Sequence, residues 1–254
     1  MRLPVLITAL AVSMSVAAVM AHAAGESETA GSGGNAAQRP VVLELFTSQG
    51  CSSCPPADRL AGKLAQDPSL VVITRPVTYW DRLGWKDTLA RPENTALQRA
   101  YSRRISTGKG VYTPQIVIDG QYGVIGSREK EIRTLISRTR RSAGPALAVE
   151  QAEGGGFGIG LSGKASYRLE LVLVALDSTE RVAIGRGENS GRHIAYTNVV
   201  RAERRLGDWR GGTQSFRIPA SQLSQAGADR YALLLRQPDG GVVVAAAMLP
   251  ADRN

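Results

Sequence analysis

An apolar run, Val41-Val42-Leu43-Glu44-Leu45-Phe46, is followed within a few residues by Cys51-Ser52-Ser53-Cys54 and then directly by Pro55-Pro56-Ala57-Asp58-Arg59-Leu60. The run reads as a strand. Proline at the first positions of the next segment opens a helix, because the N–H it lacks has no partner there anyway. A chain with this order turns from strand to helix at its only two cysteines. Two intervening residues let the sulfurs close a small ring, and a helix N-terminus supplies N–H groups and a positive dipole end that favour thiolate over thiol. The pair is therefore a candidate thiol–disulfide redox site. Cys51, at the helix start, is expected to carry the more exposed and more acidic sulfur and to act as nucleophile. Cys54, one turn in, is expected to resolve the mixed disulfide.

Other readings of the pair stay open. A static Cys51–Cys54 disulfide closes so short a loop that it removes little entropy from the unfolded chain. It would leave a non-catalytic binding protein. Two thiolates could also capture Cu(I), for which soft ligands are suited. Structural zinc usually needs four ligands, and beyond the N-terminal segment the chain offers only His193 besides the cysteines. No metal and no bound cofactor is expected, since thiol exchange needs neither.

Residues 1–23 read as a signal peptide: Arg2, then the apolar Leu3 to Met20, then Ala21-His22-Ala23 as a small-residue cleavage pattern. A membrane anchor is the competing reading. Residues 24–38 are small and polar and read as a disordered leader. No later stretch is long and apolar enough to form a membrane-spanning helix. The expectation is an exported protein, periplasmic or extracellular, where disulfides persist. The formal charge of +9 comes from arginines scattered among acids, with short clusters such as Arg201 to Arg205. That pattern suggests a solvated basic surface and no nucleic-acid partner.

From Arg39 onward the first part alternates. Val41 to Phe46, Leu70 to Thr74, Gln115 to Ile118 and Gln121 to Ile125 read as strands; Pro55 to Ala65, Pro92 to Ile105 and a segment after Ser127 read as helices. Asp58 falls in a first helical turn, where the dipole favours an acid. Beyond Gly144-Pro145 only short β-branched or alternating runs appear, among them Tyr167 to Ala175, Arg181 to Ile184 and His193 to Val200. Many short strands with regular turn signals point to an all-β, sandwich-like domain. The expected organisation is an α/β domain at 39–144 and a β-rich domain at 145–254.

The first part resembles the thioredoxin-like superfamily. The resemblance rests on the redox motif between first strand and first helix, Thr113-Pro114 before the third strand, the Gln115 to Ile125 hairpin and a closing helix. The hairpin and the later Gly126-Ser127 are most similar to the glutaredoxin branch. The chain as a whole is similar to an exported family, domain-of-unknown-function family 1223, through Glu44 to Asp58, Tyr79 to Asp87, Val111 to Gln115 and Gly187 to Arg192.

The resemblance implies a thioredoxin-like fold for 39–144 and thiol–disulfide oxidoreductase chemistry on exported protein thiols or small thiols such as glutathione. It implies a cis Pro114 facing the cysteines, Thr113 backbone that pairs with an extended substrate, and Ser127 where a glutathione carboxylate is held. Superfamily members with a proton-shuttling buried acid place it in the strand before the motif. Glu44 is the nearest residue, at a spacing that does not match. Tyr79, Trp80 and Trp85 are either a substrate-contacting wall over the thiols or packing between loop and core. Arg186 to Arg192 reads as a tight turn whose Glu188 and Asn189 hold an interface, with a ligand site as the alternative.

Overall fold

β1 (Val41–Thr47) is buried along its whole length, as expected for a nearly unbroken apolar strand covered on both faces. The computed structural model describes residues 39–105, 110–139, 144–153 and 155–250, so the expected signal peptide and leader lie outside the described residues. α1 (Pro55–Leu64) follows the cysteines. β2 (Leu70–Pro76) returns parallel to β1, in register from Val41 opposite Leu70 to Thr47 opposite Pro76. After α2 (Pro92–Arg104), β3 (Gln115–Ile118) runs antiparallel on the other side of β1 and turns into β4 (Tyr122–Ile125). Asp119 and Gly120 make that turn with φ of 46° and 65°, the conformation an Asp-Gly hairpin pair favours. α3 (Glu129–Thr139) joins α1 on one face, where Leu60, Leu64, Ile132 and Ile136 pack on Leu43 and Leu45. On the opposite face Tyr101 of α2 meets Phe46 edge-on, ring centroids 6.0 Å apart.

The second half supplies β5 (Ala146–Gln151), β6 (Phe157–Ser162), β7 (Leu169–Ala183), β8 (His193–Trp209), β9 (Gln214–Ile218), β10 (Arg230–Arg236) and β11 (Val243–Met248). Strands β5, β6 and β9 form a small sheet in that order. The other four extend the first sheet to eight strands, β11-β10-β7-β8-β2-β1-β3-β4.

This overturns the expected thioredoxin-like α/β domain beside a separate β-sandwich. The protein is mostly β, with one mixed eight-stranded sheet, a three-stranded sheet and three α-helices among the described residues. The physical reason lies at β2. In a separate domain it would be an edge strand with bare N–H and C=O groups, and β8 lies along it instead. Backbone pairing there is confined to Thr74 and Val199. Thr74 Oγ1 donates to Thr197 O at 2.6 Å and Asn198 Nδ2 to Val72 O at 2.9 Å. A shared core contributes more. Val42, Val71 and Ile73 pack with Val172, Val174, Leu176, Val200 and Leu234, and each fully buried side chain of this kind stabilises by ~1.5–3 kcal/mol. Both halves accordingly belong to one compact unit, Gln38–Asn254.

Two further expectations change. The runs expected at Tyr167 to Ala175 and Arg181 to Ile184 merge into one 15-residue strand, Leu169–Ala183, and β8 runs 17 residues, through the Arg201 to Arg205 cluster. Acids on β7 face these arginines: Arg201 lies 2.5 Å from Asp177 and 2.7 Å from Glu180.

Candidate functional site

β1 ends at Thr47 and the chain loops through Ser48 to Ser53 before α1 begins. Cys51 and Cys54 are joined by a disulfide, with Cα atoms 5.4 Å apart. Cys54 is the N-cap of α1, and its N–H donates to Cys51 O at 3.1 Å. The Ser53 hydroxyl lies 3.4 Å from Cys51 Sγ. Both cysteines are 0% exposed. The expected contrast between an exposed Cys51 and a buried Cys54 is therefore absent, because a distant segment covers the loop.

That segment is the connection between β7 and β8. Asn189, itself buried, donates from Nδ2 to Gln49 O and to Cys51 O, both at 2.9 Å. Glu188 Oε2 accepts the Ser52 N–H at 3.1 Å. Hydrogen bonds from Ser52, its side chain first and then its backbone, hold the Glu188 carboxyl below the usual range. Trp85 completes the clamp. Its Nε1 donates to Gln49 Oε1 at 2.8 Å, and a Cβ on Gly185 would stand only 3.1 Å from its ring. Glu188 and Asn189 thus hold the cysteine loop itself. Asn189→Ala should cost ~1–3 kcal/mol by stranding two carbonyls, and should speed reduction of the disulfide by a water-soluble phosphine. An unchanged urea midpoint together with an unchanged reduction rate would contradict this role.

The Thr113–Pro114 peptide is cis. Pro114 packs with Ala57 of α1 and Leu45 around Gly126 so tightly that a Cβ there would meet them at 3.0–3.1 Å. Trp80 ties this strand entry to the cysteine loop: Nε1 donates to Thr113 Oγ1 at 2.8 Å, and a Cβ on Gly50 would stand 3.3 Å from Trp80 Cβ. Thr113, Pro114 and Trp80 are therefore brought to the cysteine loop. Tyr79 and Trp80 also pack on Phe46, Val77, Tyr101 and Val117, while Trp85 packs with Leu89, Ile184 and Tyr196. All three aromatics are half-buried packing residues. Ser127 is exposed next to Gly126, and α3 begins two residues beyond it.

The sequence pattern of a family described as a protein of unknown function (DUF1223) matches residues 42–236, from β1 to the end of β10. The chain belongs to that family. A crystal structure of a protein from Agrobacterium tumefaciens is 29% identical, with a TM-score of 0.73 over 84% of this chain and 95% of its own. HBP35 of Porphyromonas gingivalis is 12% identical, with a TM-score of 0.52 over 85% of this chain and 76% of its own, a likeness of fold alone. No curated protein matches the chain.

In this DUF1223 protein Glu44 does not serve the cysteines. Its carboxylate accepts from Arg75 Nε at 2.5 Å and from the Tyr101 hydroxyl. The acid on the cysteines' own helix is Asp58, one turn after Cys54, whose carbonyl accepts the Asp58 N–H at 3.1 Å. Residues four apart share a helix face. Asp58 is 2% exposed; Thr47 Oγ1 donates to Oδ1 at 2.7 Å, and Oδ2 has no hydrogen-bond partner among the described residues. Burial, with a smaller push from Asp87, raises this carboxyl to about 8 against the Thr47 bond. Asp58 does fall in the first turn of α1, but burial there outweighs the favour the dipole gives an ionised acid. Asp87, raised by burial, accepts the Gln49 and Leu89 N–H groups, each at 2.8 Å. Tyr196 of β8 faces the same group of acids, its phenol pushed up by burial and then by Asp58 and Asp87. Only the four-residue spacing from Cys54 to Asp58 could have pointed to this cluster in the sequence; Asp87 and Tyr196 carry no local signal.

Proposed function

We propose that this DUF1223 protein is an exported thiol–disulfide oxidoreductase whose Cys51–Cys54 pair exchanges with protein thiols or small thiols. The observation that carries the reading is the disulfide itself, closed across two residues at the N-terminus of a ten-residue helix, the setting that stabilises a thiolate when the bond opens. Cis Thr113–Pro114, tied to the cysteine loop through Trp80, supports it. The order strand, cysteine pair, helix at this site resembles that of thioredoxin-superfamily redox centres. Cys51 attacks, Cys54 resolves, and Thr113 with the half-buried Tyr79, Trp80 and Trp85 meets the partner. Ser127 lies beyond them as a contact for a small thiol. A periplasmic or extracellular location suits a disulfide that must persist.

Burial of both cysteines favours one competing reading, a structural clasp in a binding protein. The two separate on one pair of measurements. Exchange predicts that Cys54→Ser accumulates mixed disulfides through Cys51, and that the pair equilibrates at roughly −270 to −120 mV. A potential below about −300 mV with no trapped partner would leave the clasp.

A further inference from the structure

We propose that Glu188 biases the Cys51/Cys54 pair toward its bonded form, so that the reduced protein acts as an electron donor to disulfides in its partners. This deepens, and rests on, the exchange reading. Opening the disulfide places negative charge on Cys51 Sγ, which the N–H groups ahead of α1 would ordinarily stabilise. The N–H adjacent to Cys51, that of Ser52, is already occupied by the Glu188 carboxylate at 3.1 Å. A new thiolate therefore meets a like charge where a donor would help it.

Glu188 itself is exposed, and its bonds to Ser52 are what keep the carboxylate at the loop. Its neighbour Asn189 is buried and bonded to the carbonyls of Gln49 and Cys51, and glycine at 185 fits against Trp85. The Ser53 hydroxyl, 3.4 Å from Cys51 Sγ, offers a neutral donor but no charge to offset the carboxylate. Among the described residues no Lys, Arg or His is hydrogen-bonded to the loop from Gln49 to Cys54; its charged partners are Asp87 and Glu188. Arg186 and Arg192, which flank Glu188 in sequence, are exposed, and neither contributes to holding the Glu188 carboxyl down. Arg59, on the exposed side of α1, acts on the Asp58 carboxyl only as the smallest of its electrostatic influences. Burial of both cysteines penalises a thiolate further.

The Cys51 thiolate attacks one sulfur of the partner disulfide, forming a mixed disulfide and expelling the first partner thiolate. Cys54, losing its proton, attacks Cys51 Sγ and expels the second. The partner disulfide gains two electrons and, with the protons given up by Cys51 and Cys54, becomes a dithiol. The cysteine pair is oxidised by the same two electrons. A dithiol of lower potential must act upstream to reduce the pair again.

The test equilibrates the full chain with mixtures of reduced and oxidised dithiothreitol and counts free thiols by alkylation and mass. Glu188→Gln keeps an oxygen for the Ser52 N–H and loses the charge, whereas Glu188→Asp keeps the charge. Glu188→Gln should shift the equilibrium about three- to tenfold toward the dithiol, which is ~15–30 mV for a two-electron couple, and Glu188→Asp should not. In a Cys54→Ser background, thiolate absorbance against pH should show Cys51 ionising more readily with Glu188→Gln than with the native residue. The proposal is overturned if Glu188→Gln leaves both readouts unmoved, if Glu188→Asp shifts them equally, or if the wild-type pair sits at the oxidising end near −120 mV. A shifted equilibrium without trapped partners would sink only the exchange reading. Trapped partners without a shift would sink only the role of Glu188.

Discussion

Arg75→Ala is expected to destabilise the protein by about 3–5 kcal/mol, the typical cost of removing one partner from a buried ion pair. Arg75 is 1% exposed and sits on β2 between the two halves. It bonds to Glu44 of β1 at 2.5 Å, to Glu203 of β8, and to Asn94 of α2 at 3.3 Å. Glu203 also bonds to Arg236 at 3.1 Å, and Arg236 to Glu170 of β7 at 2.9 Å. Against burial, which raises it, Arg75 and Arg236 hold the Glu203 carboxyl down at about 2. Without Arg75, Glu44 stays buried with only the Tyr101 hydroxyl, and Glu203 loses one of its two arginines. Urea unfolding followed by tryptophan fluorescence and by far-ultraviolet circular dichroism measures the loss. Both probes should move together, since the network and shared core join the halves. A loss under about 1 kcal/mol would place Arg75 with solvent-screened surface pairs.

Asp58→Asn should remove a pH dependence of stability. The native carboxyl is raised from 3.8 to about 8, so the folded protein holds a proton that the unfolded chain has lost. Its contribution is fully present below about pH 4 and is lost as pH rises toward about 8, at up to ~1.4 kcal/mol per pH unit. Asparagine has no such proton and keeps an oxygen for Thr47. Wild type should therefore lose stability relative to the variant from about pH 5 to about pH 8, with the difference levelling off above that. Glu203 acts in another window, its contribution being present above 4.5 and lost as pH falls through about 2. Asp87, also raised, is common to both proteins. Urea midpoints at a series of pH values decide the matter, and parallel curves would rule out a proton on Asp58.

Local structure was legible wherever one segment's chemistry sufficed. Prolines at 55 and 92 start helices, Asp119-Gly120 turns a hairpin, and the apolar run from Val41 is a fully buried strand. At β8 the stretch from Arg201 to Arg205 was legible in part: Arg204 and Arg205 are exposed, as a solvated basic run would be, whereas the pairing of Arg201 with Asp177 and Glu180 of β7 left no local signal. The division into two domains failed for a related reason, because the pattern of β2 does not say whether a strand from the far half will lie along it. At the site, the cysteines, Thr113 and Pro114 stood out by motif, whereas the proton on Asp58 depends on burial created by other elements.

By itself the sequence determined the dithiol, its position between a strand and a helix, and the hairpin behind Pro114, since each follows from spacing and backbone preference within a few residues. Only the tertiary structure decided that both sulfurs are covered, that Glu188 and Asn189 clamp the loop from more than a hundred residues away, and that both halves share one sheet. Those outcomes depend on burial and pairing between distant segments, which a local pattern does not encode.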